Sequence, residues 1–323
     1  MIALLAERLY TALLNTYAHR RKHKSTIQQK VLHWLRALLL RISDPIVTTC
    51  IHDVPLKVRL SHPNPLYAAV APFYDTALPR LCRALGTTEG FMRLIDVGAN
   101  VGDTVLAVER ASGHTYQGEY LCVEPNDDNV QLLRINTASL GDRLICEQVL
   151  CGDENGVILG ELVGNLGNSF VKVAHHNPQQ ALPVLTVDEL VVRHSRFAKT
   201  TVLKIDTEGF DLKVLRGAQH LLSEAKPALY FEFIPSLLET NGENPLLVLP
   251  LLSSFGYDTA LVYDNKGIPV EVISTTDETA LQRLIACIDD STVYYYDIFS
   301  MHGSRSALFT ELIEQEFQTV HAA

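Results

Sequence analysis

No two cysteines in this chain are spaced as C-x-x-C, although six cysteines occur. That absence argues against a cysteine-rich zinc site and against a disulfide scaffold. Of Cys50, Cys82, Cys122, Cys146, Cys151 and Cys287, four lie in or beside apolar strand-like runs. There a free thiol packs as a small hydrophobe, so a reducing, cytoplasmic compartment is expected. No apolar run approaches the roughly 20 residues that span a bilayer. The segment VLHWLRALLLRI, residues 31–42, is short and carries two arginines. The opening MIALLAERLYTALL is interrupted by Glu7 and Arg8, and its basic run RRKHK, residues 20–24, follows the apolar part. A secretory signal has the reverse order, and none is expected. There is no internal repeat and no long polar tract that reads as disordered.

The body of the chain also lacks the large basic surface that nucleic acid requires. Residues 1–60 hold ten Lys/Arg against three Asp/Glu, whereas the remainder holds 17 against 34. A basic arm on an acidic body is the pattern of a segment that touches something acidic. Within that arm, Val31, Leu35, Leu38 and Ile42 fall on one face of an amphipathic helix. Two uses fit: packing on protein, in a homodimer or on the chain's own body, or peripheral contact with an anionic membrane. Packing on protein is the expectation.

What is present is a long alternation of strand-like and helix-like segments from about Phe91 onward. FMRLIDVG, GEYLCVEP, RLICEQVLCG, TVLKID and KPALYFEF read as strands. VGDTVLAVERA, NDDNVQLLRINTAS, VDELVVRH, FDLKVLRGAQHLLS and PLLVLPLLSSFG read as helices. Strands alternating with helices build a doubly wound, mostly parallel α/β sheet, and YDTALVYD and STVYYYDIF can add an antiparallel edge. Gly156–Pro183 breaks the rhythm with two short strand-like pieces and the polar loop HHNPQQ. Residues 1–85 read as a helical arm and hairpin extension, turning near His52 and Asp53, and residues 86–323 as the main domain. With 47% hydrophobic residues among 323, a sizeable core can be built.

LIDVGANVGD, Leu94 to Asp103, places Gly98 and Gly102 where a first strand feeds its helix, the turn of a Rossmann-like sheet that lets backbone approach a ligand. Asp96 ends that strand and Glu124 ends the next, placed to accept ribose hydroxyls. An acid there disfavours a ribose phosphate. VLKIDTEGFD, Val202 to Asp211, is a core strand that nevertheless carries Lys204 and ends in Asp206 and Glu208. Such groups are costly to bury unpaired, so they satisfy one another or face a cleft. Lys204 and Asp206 share a strand face and can pair, with Glu232 of the next strand a further neighbour.

Taken together, IDVGANVGDT, VEPNDDNVQLLRIN, TVDEL and LKIDTEGFDLKVLRGAQHLL with KPALYFEF resemble the FkbM-type S-adenosylmethionine-dependent methyltransferases. The resemblance covers residues 90–235 well and the later segments more loosely. It implies a class I methyltransferase sheet, with the glycine turn around the methionine end of the cofactor and the second-strand acid on the ribose. Matched residue by residue, these are Asp96, Gly98, Asn100, Gly102, Asp103 and Glu124. Asp153, just past the third strand, is the implied adenine contact, with Cys151 beside it. The reaction implied is O-methylation of a sugar, glycoconjugate or natural-product hydroxyl.

Proton removal from such a hydroxyl needs a base near the strand end, and Asp206, Glu208, Lys204 and His175 are the candidates. His175 and His176 lie in the irregular insert and are held in reserve. A divalent metal on Asp206 could replace the base, but no second and third ligand stand out, and no metal is favoured. Two other classes remain open. A NAD-dependent oxidoreductase would explain the turn and Glu124 but not TEGFDLKVLRGA. A catalytically inactive methyltransferase-fold binding module would not need the carboxylates.

Overall fold

The computed structural model describes residues 2–18, 26–165, 168–173, 180–289 and 292–321. Two helices open the chain, α1 (Ile2–Ala18) and α2 (Ile27–Leu40). Thr26 starts α2 with a reciprocal capping box: Gln29 N donates to Thr26 Oγ1 at 3.1 Å, and Thr26 N donates to Gln29 Oε1 at 2.9 Å. The basic run at 20–24 lies outside the described residues. A hairpin follows, β1 (Ile46–Ile51) with β2 (Val54–Arg59). Its two-residue turn is made by His52 and Asp53, both at positive φ, as a twist-matched hairpin turn requires. Every second residue of the hairpin is buried, and Val47, Leu56 and Val58 join Ala6, Tyr10 and Leu13 of α1 in one core with Val101 and Leu132. Next come α3 (Asn64–Val70) and α4 (Ala77–Glu89). The boundary expected at residue 85 falls inside α4, whose buried Leu78, Leu81 and Leu85 pack with Met92 and Leu94 of the main sheet.

The apolar face expected on α2 forms, but it is turned outward. Val31, Trp34, Leu35 and Leu38 are exposed, while Gln29 and Leu39 are buried and Arg36 donates to the carbonyls of Leu60 and Ser61 at 2.9 and 2.8 Å. The helix is docked by the opposite side, because that side carries these polar anchors.

The main domain runs β3 (Met92–Val97), α5 (Asp103–Ser112), β4 (Gly118–Val123), α6 (Asp127–Asn136) and β5 (Leu144–Glu147). A side unit follows, with β6 (Leu150–Cys151), β7 (Gly156–Asn165), β8 (Asn168–Val173) and β9 (Gln180–Leu185). Then come α7 (Val187–Arg193), β10 (Val202–Ile205), α8 (Asp211–Arg216), α9 (Gln219–Glu224) and β11 (Ala228–Phe233). The chain closes with α10 (Pro235–Thr240), α11 (Val248–Ser254), β12 (Thr259–Asp264), β13 (Pro269–Ser274), α12 (Glu278–Ala286), β14 (Tyr296–Ser300) and α13 (Ser306–His321).

Eight strands form one sheet in the order β13-β12-β14-β11-β10-β3-β4-β5. The pairs from β11 through β5 are parallel, and β14 is antiparallel to both of its neighbours. The inner parallel strands β3, β4, β10 and β11 are almost wholly buried, as expected where helices cover both faces, and the edge strand β5 is half-buried. From β3 the chain winds outward one way to β4 and β5, and later the other way to β10 and β11. The crevice where the order reverses lies at the carboxyl ends of β3 and β10.

Three expectations are corrected. RLICEQVLCG is not one strand: β5 edges the large sheet, while β6 pairs with β9 in a separate four-stranded sheet, β6-β9-β7-β8. The insert expected to be irregular supplies the rest of that second sheet. FDLKVLRGAQHLLS is two helices, broken at Gly217, where an added Cβ would meet the Gly152 carbonyl oxygen at 2.1 Å. The close approach of the side unit leaves no room for a side chain there, and glycine is also a poor helix former.

Candidate active site

A cleft of about 900 Å³ occupies the crevice, walled by the ends of β3, β4, β10, β11 and β14 and roofed by residues of the extension such as His52, Asn64 and Tyr67. The glycine turn forms its floor. Gly98 and Gly102 have φ of 80° and 83°, and Asn100 between them has 46°. The amides of Gly98 and Ala99 both donate to Val123 O, at 2.9 and 3.1 Å, which ties the turn to β4. Gly98 can be nothing else: a Cβ there would sit 1.8 Å from Asp206 O. Gly102 caps α5, and Asp103 is its first residue, held at 3.3 Å by the Asn64 side-chain amide.

Glu124 is 5% exposed and lines the cleft beside this turn. Its Oε2 accepts from Asn100 N at 3.0 Å, and its Oε1 from Asn126 N at 3.0 Å and Asn129 Nδ2 at 3.3 Å. Burial raises its pKa, and those donors work against the rise. The carboxylate thus binds the glycine turn to the start of α6, and Oε2, with one donor against two on Oε1, keeps acceptor capacity for a ligand hydroxyl.

Lys204 and Asp96 solve their burial together. Lys204 Nζ lies 3.0 Å from Asp96 Oδ1, 3.4 Å from Asp206 Oδ2 and 2.8 Å from Gly98 O. Burial pulls the lysine pKa down, but the two carboxylates outweigh it and hold the group above its ordinary value. Lys204 is therefore a fixed cation bracing the glycine turn, not a proton acceptor. Its acidic partners are Asp96 and Asp206; Glu232 is not among them. Asp96 is fully buried, its carboxyl pushed up by burial against the pull of Lys204, and it does not reach the cleft wall.

Opposite the turn stands a wall of carboxyl groups. Asp206 is half open to the cleft. Glu208 sits at φ 51°, and burial with the nearby Asp206 and Asp211 carboxylates pushes it up to about 7. Asp211, also raised to about 7 by burial and Asp206, accepts from Gly209 N at 3.1 Å and Thr207 N at 3.3 Å and shapes the loop that carries Glu208. Further out are Asp75, Glu232 and Asp297, with Tyr74, Tyr230 and Tyr295 among them. Burial, then Asp103 and Asp206, raise Asp75 to about 8. Asp75 is exposed to the open cleft, so water tempers that rise until a ligand fills the space. Glu232 pairs across the sheet with Asp297, and both are pushed well up, first by burial and then by neighbouring carboxylates. Four cleft residues that are not glycine, His52, Asp75, Asn100 and Glu208, hold positive φ. Strained backbone of this kind, about 1–3 kcal/mol each, clusters at functional sites.

The geometry thus brings Gly98, Asn100, Asp103, Glu124, Lys204, Asp206 and Glu208 to one cleft. It leaves out Asp153, which is exposed past β6 and 3.5 Å from Arg216. Its neighbour Cys151 lines the cleft instead, with Val149, Leu150 and Phe210, because β6 turns away into the second sheet. His175 and His176 lie outside the described residues. Asp75, Asp297 and the tyrosines had no motif to mark them. Asp75 follows a Pro-punctuated stretch and Asp297 lies in YYYDIF, and only the fold brings them together. Among the described residues no group of three or more His, Cys, Asp or Glu is arranged to hold a metal ion.

This sheet order, with β14 reversed between β11 and β12, a further antiparallel edge strand β13, and a glycine turn at the switch point, is the Rossmann-like architecture of class I methyltransferases. A family model, the Methyltransferase FkbM domain, matches residues 96–259. The chain belongs to that family. Solved structures are similar at low identity. A methyltransferase FkbM from Methylobacillus flagellatus KT is 15% identical over 89% of this chain and 58% of its own, with a TM-score of 0.43. An O-methyltransferase from Bacillus cereus, in complex with SAH, is 8% identical over 69% of this chain and 80% of its own, at 0.39. The O-methyltransferase TomG from Streptomyces achromogenes, involved in tomaymycin synthesis and in complex with SAM, is 10% identical over 70% and 79%, at 0.36. This chain therefore spans less than two thirds of the length of the first of these. No curated protein matches it.

Proposed function

We propose that this protein is an S-adenosylmethionine-dependent O-methyltransferase acting on a hydroxyl of a sugar, glycoconjugate or natural product. The observation that carries the reading is the pairing, across one cleft, of Glu124 beside the glycine turn with the Asp206–Glu208 carboxylates. The cofactor's parts have matching surroundings. The Gly98–Asn100 backbone would take the amino-acid end, Glu124 the ribose, and the apolar wall of Val149, Leu150, Cys151 and Phe210 the adenine. When bound, the sulfonium supplies an electrophilic methyl group. The protein's own share is to align the acceptor oxygen and to take its proton as it attacks.

Glu208 suits that proton transfer, because a carboxyl poised near 7 is deprotonated often enough at neutral pH and basic enough to act. Asp206, 3.4 Å from Lys204 and open to the cleft, is placed to orient the hydroxyl. The outer carboxyls and tyrosines provide a polar, aromatic lining of the kind that polyhydroxylated rings use for hydrogen bonds and stacking. Isothermal titration with S-adenosylhomocysteine and with NAD tests the reading. Micromolar binding of the first and none of the second is expected. NAD binding without S-adenosylhomocysteine binding would refute it.

A further inference from the structure

The outward face of α2 has no partner among the described residues, and its chemistry says what would cover it. Ile27, Val31, Trp34, Leu35 and Leu38 of α2 recur mostly at steps of three and four residues, which spreads them over about 100° of arc at about 100° per residue, and Ile42 follows in the turn just past the helix. All six are exposed: Ile27 by 83%, Ile42 by 72% and Trp34 by 63%. The five on α2 run along about 16 Å of helix axis, given about 1.5 Å per residue. Lys30 and Arg41 are exposed on one flank of the stripe. The opposite side is already committed to the hairpin through Leu39 and through Arg36 on the Leu60 and Ser61 carbonyls.

Charge decides the occupant. From Arg8 to Ser43 there is no Asp or Glu, and there are eight Lys/Arg, while the chain beyond residue 60 carries twice as many acids as bases. A second copy joined through this same face would set two basic arms against each other, since a twofold contact pairs each patch with itself. An anionic bilayer instead attracts the arm and repels the body, which orients the molecule with α2 toward the headgroups. An apolar stripe flanked by bases, with a tryptophan on it, is the composition of a helix lying in the interfacial plane. No described helix is long and apolar enough to cross a membrane.

We propose that α2 docks this protein peripherally on an anionic lipid surface. The extension that presents α2 also supplies cleft residues Ile51, His52, Asn64 and Tyr67, so the docking element and the cleft roof are one structural unit.

Trp34 is the only tryptophan in the chain, which makes its fluorescence a direct report on this face. The full chain is titrated with phosphatidylcholine vesicles and with vesicles that also contain phosphatidylglycerol, followed by emission and by co-sedimentation. A blue shift and sedimentation with the anionic vesicles alone are expected. Val31→Glu and Leu38→Glu change exposed side chains and should leave the unfolding temperature nearly unchanged. Each should weaken vesicle partition at least about tenfold, the least expected from withdrawing one aliphatic side chain's burial. Lys30→Glu should weaken it in the anionic vesicles as well. No shift with anionic vesicles overturns the proposal, as does unchanged partition in both glutamate variants. A dimer at sedimentation equilibrium that Leu38→Glu dissociates, without vesicle binding, would assign the face to self-association instead. None of these readouts needs an acceptor or turnover, so they stand or fall independently of the reading of the cleft.

Discussion

Replacing Gly98 with alanine tests whether the glycine turn and the β10 end form one rigid floor. The added Cβ would sit 1.8 Å from Asp206 O, a backbone atom, whereas real Cβ atoms essentially never approach closer than 3.0 Å. The turn must therefore retreat by roughly 1.2 Å, or Asp206 must, and overpacking of this kind costs about 1–3 kcal/mol or more. Alanine at φ 80° adds about 1–2 kcal/mol of left-handed strain. Either movement pulls on Gly98 N to Val123 O, Asp206 N to Val97 O and Lys204 Nζ to Gly98 O, all between 2.8 and 3.0 Å. Gly90 is the control: its φ is 75°, and nothing lies within 4 Å of an added Cβ. Gly90→Ala should lower the unfolding temperature by a few degrees, from about 1–2 kcal/mol of strain alone. Gly98→Ala should lower it clearly further and weaken S-adenosylhomocysteine binding at least about 100-fold, since about 1 Å of misplacement is felt that strongly. Calorimetric titration and thermal unfolding of both variants supply the numbers. Matching unfolding temperatures, with wild-type affinity in Gly98→Ala, would refute the coupling.

Asp206→Asn and Glu208→Gln should each bind S-adenosylhomocysteine within about twofold of wild type while lowering turnover about 100-fold or more; full turnover in both would make these carboxylates structural. If Glu208 is the base, turnover rises with pH up to about 7 and then levels, and Glu208→Gln flattens the profile. Stability runs the other way. Glu208 and Asp211 hold their protons in the folded state up to about 7 but release them near 4 when unfolded, so stability is fully present below about pH 4 and is lost progressively by about pH 7. Denaturant titrations at pH 5 and 8 check this, and greater stability at pH 8 would contradict it. Lys204→Met leaves the buried Asp96 without its cation and should cost about 3–5 kcal/mol by chemical denaturation, with Asp96→Asn added on top recovering a large part. A Lys204→Met protein as stable as wild type would show that the pair does not support the fold.

Much of the sheet and of its cleft could be read directly from the chain, because each element there is specified locally. A buried parallel strand has to be apolar, a sharp strand-to-helix turn has to be glycine, and an acid at a strand end has to face something polar. Gly98, Glu124, Lys204, Asp206 and Glu208 were visible for those reasons, and so were the alternation of elements and the His52–Asp53 turn. What the chain alone did not decide depends on which distant segments meet. Asp153 and Cys151 are two residues apart, and only the departure of β6 into the second sheet sets Cys151 on the cleft wall and Asp153 beside Arg216. Asp96 and Asp206 both sit at strand ends. Register with Lys204 makes the first a buried counter-ion and leaves the second open to the cleft. Asp75 and Asp297 stand more than 200 residues apart, yet their repulsion is one cause of the raised Asp297 pKa. Likewise the amphipathic character of α2 is a property of sequence, but which of its faces meets the body was settled by Arg36 finding the Leu60 and Ser61 carbonyls. Periodicity and turn chemistry act over a few residues, whereas pairing, burial and electrostatic repulsion act through space, and only the folded chain sets those distances.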